Sequence, residues 1–302
     1  MSAEQKKILV LYYSQTGQLT EIVNSFTSAF NGKNISVETI RVIPEKEFPF
    51  PWKVEAFFDA MPESVLAIPA PLEKFVLKEQ HYDLVIFAYQ PWFLSLSIPA
   101  NSVLRCNSVE KILKNTPVVS LIGSRNMWLS SQEKLKKILK EAGTKLVGNI
   151  ALADRNSNLV SAITILSWMM NGTKESYLGI FPKAGISDDD ILNTKLFGET
   201  VCEFFEKENF NGLQQKLIEQ GAAEVKPNLM FIEERAPRLF SIWANFIVKR
   251  KNRKAWLVVF KYYLLFALFI VAPIVLTVYS VLFKPFLQKN IQRKIMYYSE
   301  VK

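Results

Sequence analysis

The 302-residue sequence holds only two cysteines, Cys106 and Cys202, and one histidine, His81. The cysteines are far apart with no CxxC spacing, so a disulfide scaffold and a zinc cluster are both excluded, and one imidazole builds no metal cage. No metal-binding residue is expected. The same scarcity removes the Cys-His-His and Cys-His-Asn sets of thiol-based condensation. Neither GxxxxGK[ST] nor GxGxxG occurs, which argues against triphosphate hydrolysis and against dinucleotide binding on the first strand. No internal repeat or low-complexity tract is visible. The only apolar stretch near the N-terminus, Ile8 to Tyr13, is six residues, shorter than the roughly 7–15 of a signal h-region. A cytoplasmic body follows, and unpaired cysteines agree with it.

What is present is an ordinary globular composition, 49% hydrophobic and 22% charged, with a lopsided charge. Lys249 to Lys302 carries eleven Lys/Arg against the single acid Glu300, a local +10 in a chain of net +9, so the first 248 residues sum to −1. The basic excess flanks an uncharged run, Tyr262 to Phe283, of 22 residues. At about 1.5 Å per residue this is about 33 Å of helix, enough for a hydrocarbon core of about 30 Å. Lys249, Arg250, Lys251, Arg253 and Lys254 precede the run, and Lys284, Lys289, Arg293 and Lys294 follow it. This is a membrane pattern and not a nucleic-acid one. The two flanks are too alike to orient the segment, and Pro273 permits a kinked or re-entrant form, so spanning and single-leaflet insertion both stay open. In Pro237 to Val248, residues Leu239, Ile242, Trp243, Phe246 and Ile247 form a stripe that suits either an interfacial helix or packing on the body.

The body reads as alternating strands and helices. Ile8 to Tyr13 is a continuous apolar run of the kind buried on both faces of a parallel sheet, and a helix over Leu19 to Phe30 follows it. Further strands are expected at Ile35 to Val42, Leu84 to Ala88, Val118 to Ile122 and Leu146 to Ala153, with helical windows at 99–114, 131–142 and 189–220. The class is α/β with a doubly wound five-stranded parallel sheet. The expected organisation is a body at 1–222, a linker at 223–236 and a membrane-associated segment at 237–302. Two stretches exceed ordinary connections. Residues 43–75 carry six prolines with Phe48, Phe50, Trp52, Phe57 and Phe58, and residues 155–188 contain Leu159 to Met170, either a buried helix or a second greasy surface. Both begin at the carboxyl edge of the sheet, where such folds place ligands.

After the first strand, Ser14-Gln15-Thr16-Gly17-Gln18-Leu19-Thr20 opens directly into a helix. Hydroxyls on Ser14 and Thr16, a glycine at 17 and the positive end of a helix make an anion seat without a lysine. The stretch LVLYYSQTGQLTEI resembles the flavodoxin-type FMN phosphate loop, an apolar strand followed by S/T-x-T-G-x-T, with Leu19 where the family has its last threonine and Thr20 adjacent. At the end of the third strand, Gln90-Pro91-Trp92-Phe93 is similar to the P-x-W-x loop that packs on the flavin ring in flavodoxin-like quinone and FMN reductases. A third loop, with Ser124 and Asn126, is placed to close over the same ligand. The flavodoxin-like resemblance implies the strand order 2-1-3-4-5 for the sheet. It also implies FMN as cofactor, held by Ser14, Thr16, Gly17, Gln18, Leu19, Gln90, Pro91, Trp92, Phe93, Ser124 and Asn126.

With the FPFPW and FFDAMPE insertion and the basic, apolar tail, most of the chain resembles the dialkylresorcinol condensing enzyme group of flexirubin-type pigment pathways. That resemblance implies a membrane-associated FMN-dependent oxidoreductase that aromatises a dialkyl cyclohexane-1,3-dione supplied by a ketosynthase partner. A lipid-like substrate and an inner-membrane location fit the tail. Two alternatives accompany it: a membrane-tethered quinone or FMN reductase using NAD(P)H, and a non-enzymatic scaffold for the ketosynthase. No proton acceptor is assigned. Asp59 and Glu63, acids in an apolar insertion, are the candidates, while His81 falls at the opposite edge of the sheet.

Overall fold

The structure, a computed structural model, describes residues 5–301. The outermost ends of the expected units, 1–4 and 302, lie outside them. Five strands, β1 (Lys6–Tyr12), β2 (Ile35–Arg41), β3 (Leu84–Tyr89), β4 (Val118–Ser124) and β5 (Leu146–Ala153), form one parallel sheet in the order β2-β1-β3-β4-β5. This is the flavodoxin-like doubly wound arrangement expected above. Tyr12 lies opposite both Arg41 and Ala88, so the carboxyl ends of the first three strands are level.

Along the chain the helices are α1 (Gln18–Thr27), α2 (Val54–Asp59), α3 (Met61–Leu66), α4 (Ile98–Val103), α5 (Asn107–Leu113), α6 (Leu129–Glu141), α7 (Asn158–Asn171), α8 (Asp188–Glu206), α9 (Leu213–Glu219), α10 (Pro227–Glu233), α11 (Ala236–Val248), α12 (Arg253–Phe266), α13 (Ala272–Val278) and α14 (Gln288–Ser299). The windows expected at 99–114 and 189–220 are each two helices. Alternate strand residues serve opposite layers. Ile8, Val10, Leu84 and Ile86 pack under α1, α8 and α9. Leu9, Leu11, Val85 and Phe87 pack under α4, α5 and α6. Gly198 allows α8 to lie hard against α1, because a Cβ there would stand 2.2 Å from the Phe26 carbonyl oxygen.

Residues 223–236, the expected linker, carry a short helix, Pro227–Glu233, at their centre. This is α10, and the buried Glu233 carboxylate accepts the Leu129 and Ser130 N–H groups at 3.3 and 3.2 Å. Helix α6 has no side-chain cap of its own, so a carboxylate from far along the chain takes that place at the positive helix end. Helix α11 packs one face of its apolar stripe on the body and leaves the other exposed. Ala244 and Ile247 are fully buried, Trp243 and Phe246 are half-buried, and Leu239 and Ile242 face outward.

From Arg253 to Ser299 the chain is continuously helical, and among the described residues this is the one helix long and apolar enough to cross a membrane. A wide π turn, Ala267–Val271, precedes Pro273 and absorbs its missing N–H, so the helix passes through without breaking.

Candidate functional site

The site begins where β1 ends. Gly17 takes φ +89°, a left-handed conformation that a side chain would strain, and so turns the chain into α1. The N-cap of α1 is Gly17, which has no side chain to cap the helix. The Gln18 N–H reaches the Thr16 hydroxyl oxygen at 3.4 Å. Ser14 is buried, and its hydroxyl has no hydrogen-bond partner in the protein. An orphaned hydroxyl beside an uncapped helix start is a fit for an anion, since buried polar groups otherwise find partners.

The two glutamines of the elbow do something the sequence did not reveal. The Gln15 amide donates to the Phe48 and Pro49 carbonyls at 3.0 and 2.9 Å and accepts from the Tyr13 hydroxyl, whose pKa burial pushes above the ordinary tyrosine range. Gln18 donates to the Ile186 carbonyl at 3.0 Å and accepts the Ile186 N–H at 3.2 Å. Each glutamine therefore staples one of the two long insertions to the elbow. The Gln18 side chain, expected on the cofactor, also makes this staple. The Leu19 side chain is buried in the core beneath.

Beyond β3, Pro91–Trp92 and Ser95–Leu96 form a small antiparallel hairpin. Its turn residues, Phe93 and Leu94, sit at φ +48° and +59° although neither is glycine. Side chains in that region cost roughly 1–2 kcal/mol per residue, so the surroundings hold the turn. The Ser64 hydroxyl of α3 lies 3.0 Å from both the Trp92 and Leu96 carbonyl oxygens. Trp92 meets the rings of Phe48, Trp52 and Tyr13 at 5.0, 5.4 and 5.9 Å, mostly edge to face.

These loops meet around one cavity of about 220 Å³ at the β1/β3 switch point. Thr16, Gln18, Leu19, Gln90, Pro91, Trp92, Phe93 and Ser124 of the expected set line it. Phe57 of the first insertion and Ile165, Leu166, Trp168 and Met169 of α7 close it, which resolves the greasy Leu159 to Met170 segment as a pocket wall. Arg125, not among the expected ligand residues, also lines it. Its guanidinium donates to the Asn158 carbonyl at 3.0 Å and to Asn158 Oδ1 at 3.1 Å, and burial lowers its pKa to about 10, so it stays charged at neutral pH.

No family model and no curated protein matches this chain. Solved structures do resemble it. A flavoprotein in complex with FMN from Lactobacillus acidophilus is similar at 16% identity over 48% of this chain and 91% of its own, with a TM-score of 0.39. A flavodoxin from the domain Archaea is similar at 11% identity over 66% and 99%, TM-score 0.37. Two-electron reduced Megasphaera elsdenii flavodoxin is similar at 14% identity over 47% and 82%, TM-score 0.30. The flavodoxin-like fold stated above stands on strand order and register.

Three expected roles are corrected by position. Asp59 and Glu63 do not enter the cavity. Both grip Arg253 at the start of α12, with Asp59 Oδ1 2.8 Å from Nε and Glu63 Oε2 2.6 Å from a terminal nitrogen. Asn126 lies in a separate, larger cleft with Trp128 and Arg155, and its Nδ2 donates to Asn158 Oδ1 at 3.1 Å. His81 is exposed beside Asp83, ahead of β3, as its position in the sequence implied. Among the described residues no three His, Cys, Asp or Glu side chains converge as metal ligands.

Proposed function

We propose that the chain is a membrane-associated FMN-dependent oxidoreductase that aromatises a dialkyl cyclohexane-1,3-dione to a dialkylresorcinol. The observation that carries the cofactor is the elbow: the unpartnered buried Ser14 hydroxyl, left-handed Gly17 and uncapped α1 beside a cavity walled by Trp92. Ser14, Thr16 and the backbone N–H groups at Gly17 to Leu19 would hold the phosphate, and Gln90, Pro91, Trp92 and Phe93 the ring. FMN, when bound, would supply the acceptor for a hydride, which together with the proton given up by the neighbouring carbon makes up the two hydrogens by which the dione exceeds the resorcinol. Arg125 holds positive charge at the cavity wall, where it stabilises negative charge on a substrate carbonyl oxygen as the neighbouring carbon gives up its proton. The apolar residues of α7 and the first insertion exclude water and accept alkyl chains.

The test is direct. Purified full-length chain is titrated with FMN, and the loaded protein is given a synthetic dialkyl cyclohexane-1,3-dione in air. Resorcinol should form, and Thr16→Val should weaken FMN binding roughly tenfold, the size of a lost hydrogen bond to a charged group. A chain that ignores FMN overturns the proposal. Rapid flavin bleaching by NAD(P)H with quinone turnover and no resorcinol would transfer it to the reductase reading. Pigment formation unchanged by replacing Thr16 and Trp92 together would favour the ketosynthase scaffold.

A further inference from the structure

Both ends of the long C-terminal helix are fastened to the same globular body. At its start, Arg253 is clamped by Asp59 and Glu63, and Phe260 is fully buried, 6.2 Å from the Phe58 ring and 5.7 Å from Trp243. At the far side of the apolar run, Tyr279 is buried and stacks on Phe231 of α10 with ring centroids 3.9 Å apart. Beyond it, Lys294 pairs with Glu234 at 2.7 Å, the Tyr297 hydroxyl donates to Glu133 at 2.8 Å, and Gln214 donates to the Ser299 carbonyl at 2.7 Å.

Phe260 and Tyr279 are separated by about 28 Å of helix at about 1.5 Å per residue, close to the roughly 30 Å of a hydrocarbon core. Were the run to cross a bilayer, these two residues would sit near opposite interfaces while both touched one body. That body would then stand in the hydrocarbon with the charges of Glu133, Glu234 and Lys294 on it, which lipid does not tolerate. The face turned away from the body is the greasy one. Tyr262, Phe266, Ile270, Ile274, Val278 and Val281 are all exposed and recur at three- and four-residue steps along a single stripe.

We infer that this helix lies in the plane of the membrane, inserted through that stripe into one leaflet of an anionic phospholipid bilayer, and does not cross it. The inference deepens the proposed membrane association and rests on it. Charge decides the occupant. Lys249, Arg250, Lys251 and Lys254 flank one end, and Lys284, Lys289 and Arg293 the other. In a crossing helix these clusters would face opposite compartments, whereas in the plane both meet the same anionic headgroups. The geometry also sets the cavity beside the leaflet. Phe93, a cavity residue, is 6.4 Å from Phe240 of α11, which is 5.7 Å from Phe260.

The test uses the full chain with Lys251→Cys or Lys289→Cys, two exposed positions on opposite sides of the run. Membrane vesicles from expressing cells are treated with a membrane-impermeant maleimide before and after detergent, and the parent chain's labelling through Cys106 and Cys202 is subtracted. Both positions should label to within about twofold of each other in intact vesicles of either orientation. A position that labels tenfold less than the other until detergent is added overturns the in-plane helix and leaves membrane association standing. Sedimentation of purified protein with phosphatidylcholine vesicles tests the other arm. Binding should rise several-fold when about one-third of the lipid is phosphatidylglycerol, and no sedimentation with either would sink the membrane reading and the in-plane helix together.

Discussion

The insertion at 43–75 and the C-terminal helix draw on the same greasy residues and end in opposite states. In the insertion, Trp52 is buried and meets Phe48, Phe57 and Trp92 at 5.8, 5.8 and 5.4 Å. In the helix, Phe266, Ile270 and Ile274 meet little of the body and stand exposed. The polar fastenings account for the difference. The insertion is held along its length, by Gln15 on Phe48 and Pro49 and by the Trp52 N–H on the Met169 carbonyl at 2.7 Å. The apolar run is held on either side, at Phe260 and at Tyr279, and Phe266, Ile270 and Ile274 between them stand free of the body. Apolar content alone therefore does not say what an apolar segment packs against.

The sharpest way to break this contrast is truncation in each region. Trp52→Ala removes the ring shared by three neighbours and should cost about 3–5 kcal/mol of stability, the usual range for a buried large aromatic. Phe266→Ala should stay within about 0.5 kcal/mol, as exposed substitutions do. Denaturant midpoints measured on the two variants check both figures. Equal losses would mean that the helix is packed as tightly as the insertion and would erase the distinction.

Strands β1, β3, β4 and β5 were legible as largely apolar runs bounded by polar turns, whereas β2, ISVETIR, alternates polar and apolar residues, and the sheet order came with the flavodoxin-like resemblance. The three loops that meet at the cavity stand at the carboxyl ends of β1, β3 and β4, which the fold brings together whatever their side chains. What could not be read was pairing at a distance. Nothing near Trp128 in the sequence signals that Glu233 will cap α6, and nothing near Asp59 and Glu63 signals that Arg253 will claim them. Acids in an apolar insertion resemble a tuned base until their counter-ion is known. Arg125 carried one weak signal, its place inside the third loop, and Gln15 and Gln18 carried none beyond lying in the elbow after β1.

A second prediction concerns the joint between α6 and α10, whose Phe231 carries Tyr279 of the C-terminal helix. Burial raises the Glu233 carboxyl to about 7, against about 4.3 for a free glutamate, with the α6 backbone N–H groups opposing the shift. The native state thus binds this proton more tightly than the unfolded chain. Below about pH 4.3 both states are protonated and the group is neutral in its effect, and as pH rises toward 7 unfolding releases a proton and stability falls. The loss should be of the order of 2 kcal/mol between pH 5 and pH 8. Glu233→Gln cannot titrate, so its melting temperature should lose that component of the slope. Identical slopes for the two proteins would show that the junction does not sense the proton.

The smallest effect sharpens the comparison most, because it separates holding the insertion from holding the tail. Gln15→Leu keeps the side-chain volume roughly but deprives the Phe48 and Pro49 carbonyls of their donor and the Tyr13 hydroxyl of its acceptor. Unmet buried groups of this kind cost about 1–3 kcal/mol, and the part-exposed position of the carbonyls puts the expected loss near 1–2 kcal/mol. The insertion carries Phe57 over the cavity, so a loosened insertion should speed release of a bound flavin several-fold while leaving sedimentation with anionic vesicles unchanged. If vesicle binding falls in parallel with flavin retention, the elbow and the tail are one mechanical unit, coupled through Phe57, Phe93 and Phe240. If only the flavin is lost, the chain has two independently fastened greasy surfaces, one facing a planar ring system and the other facing lipid.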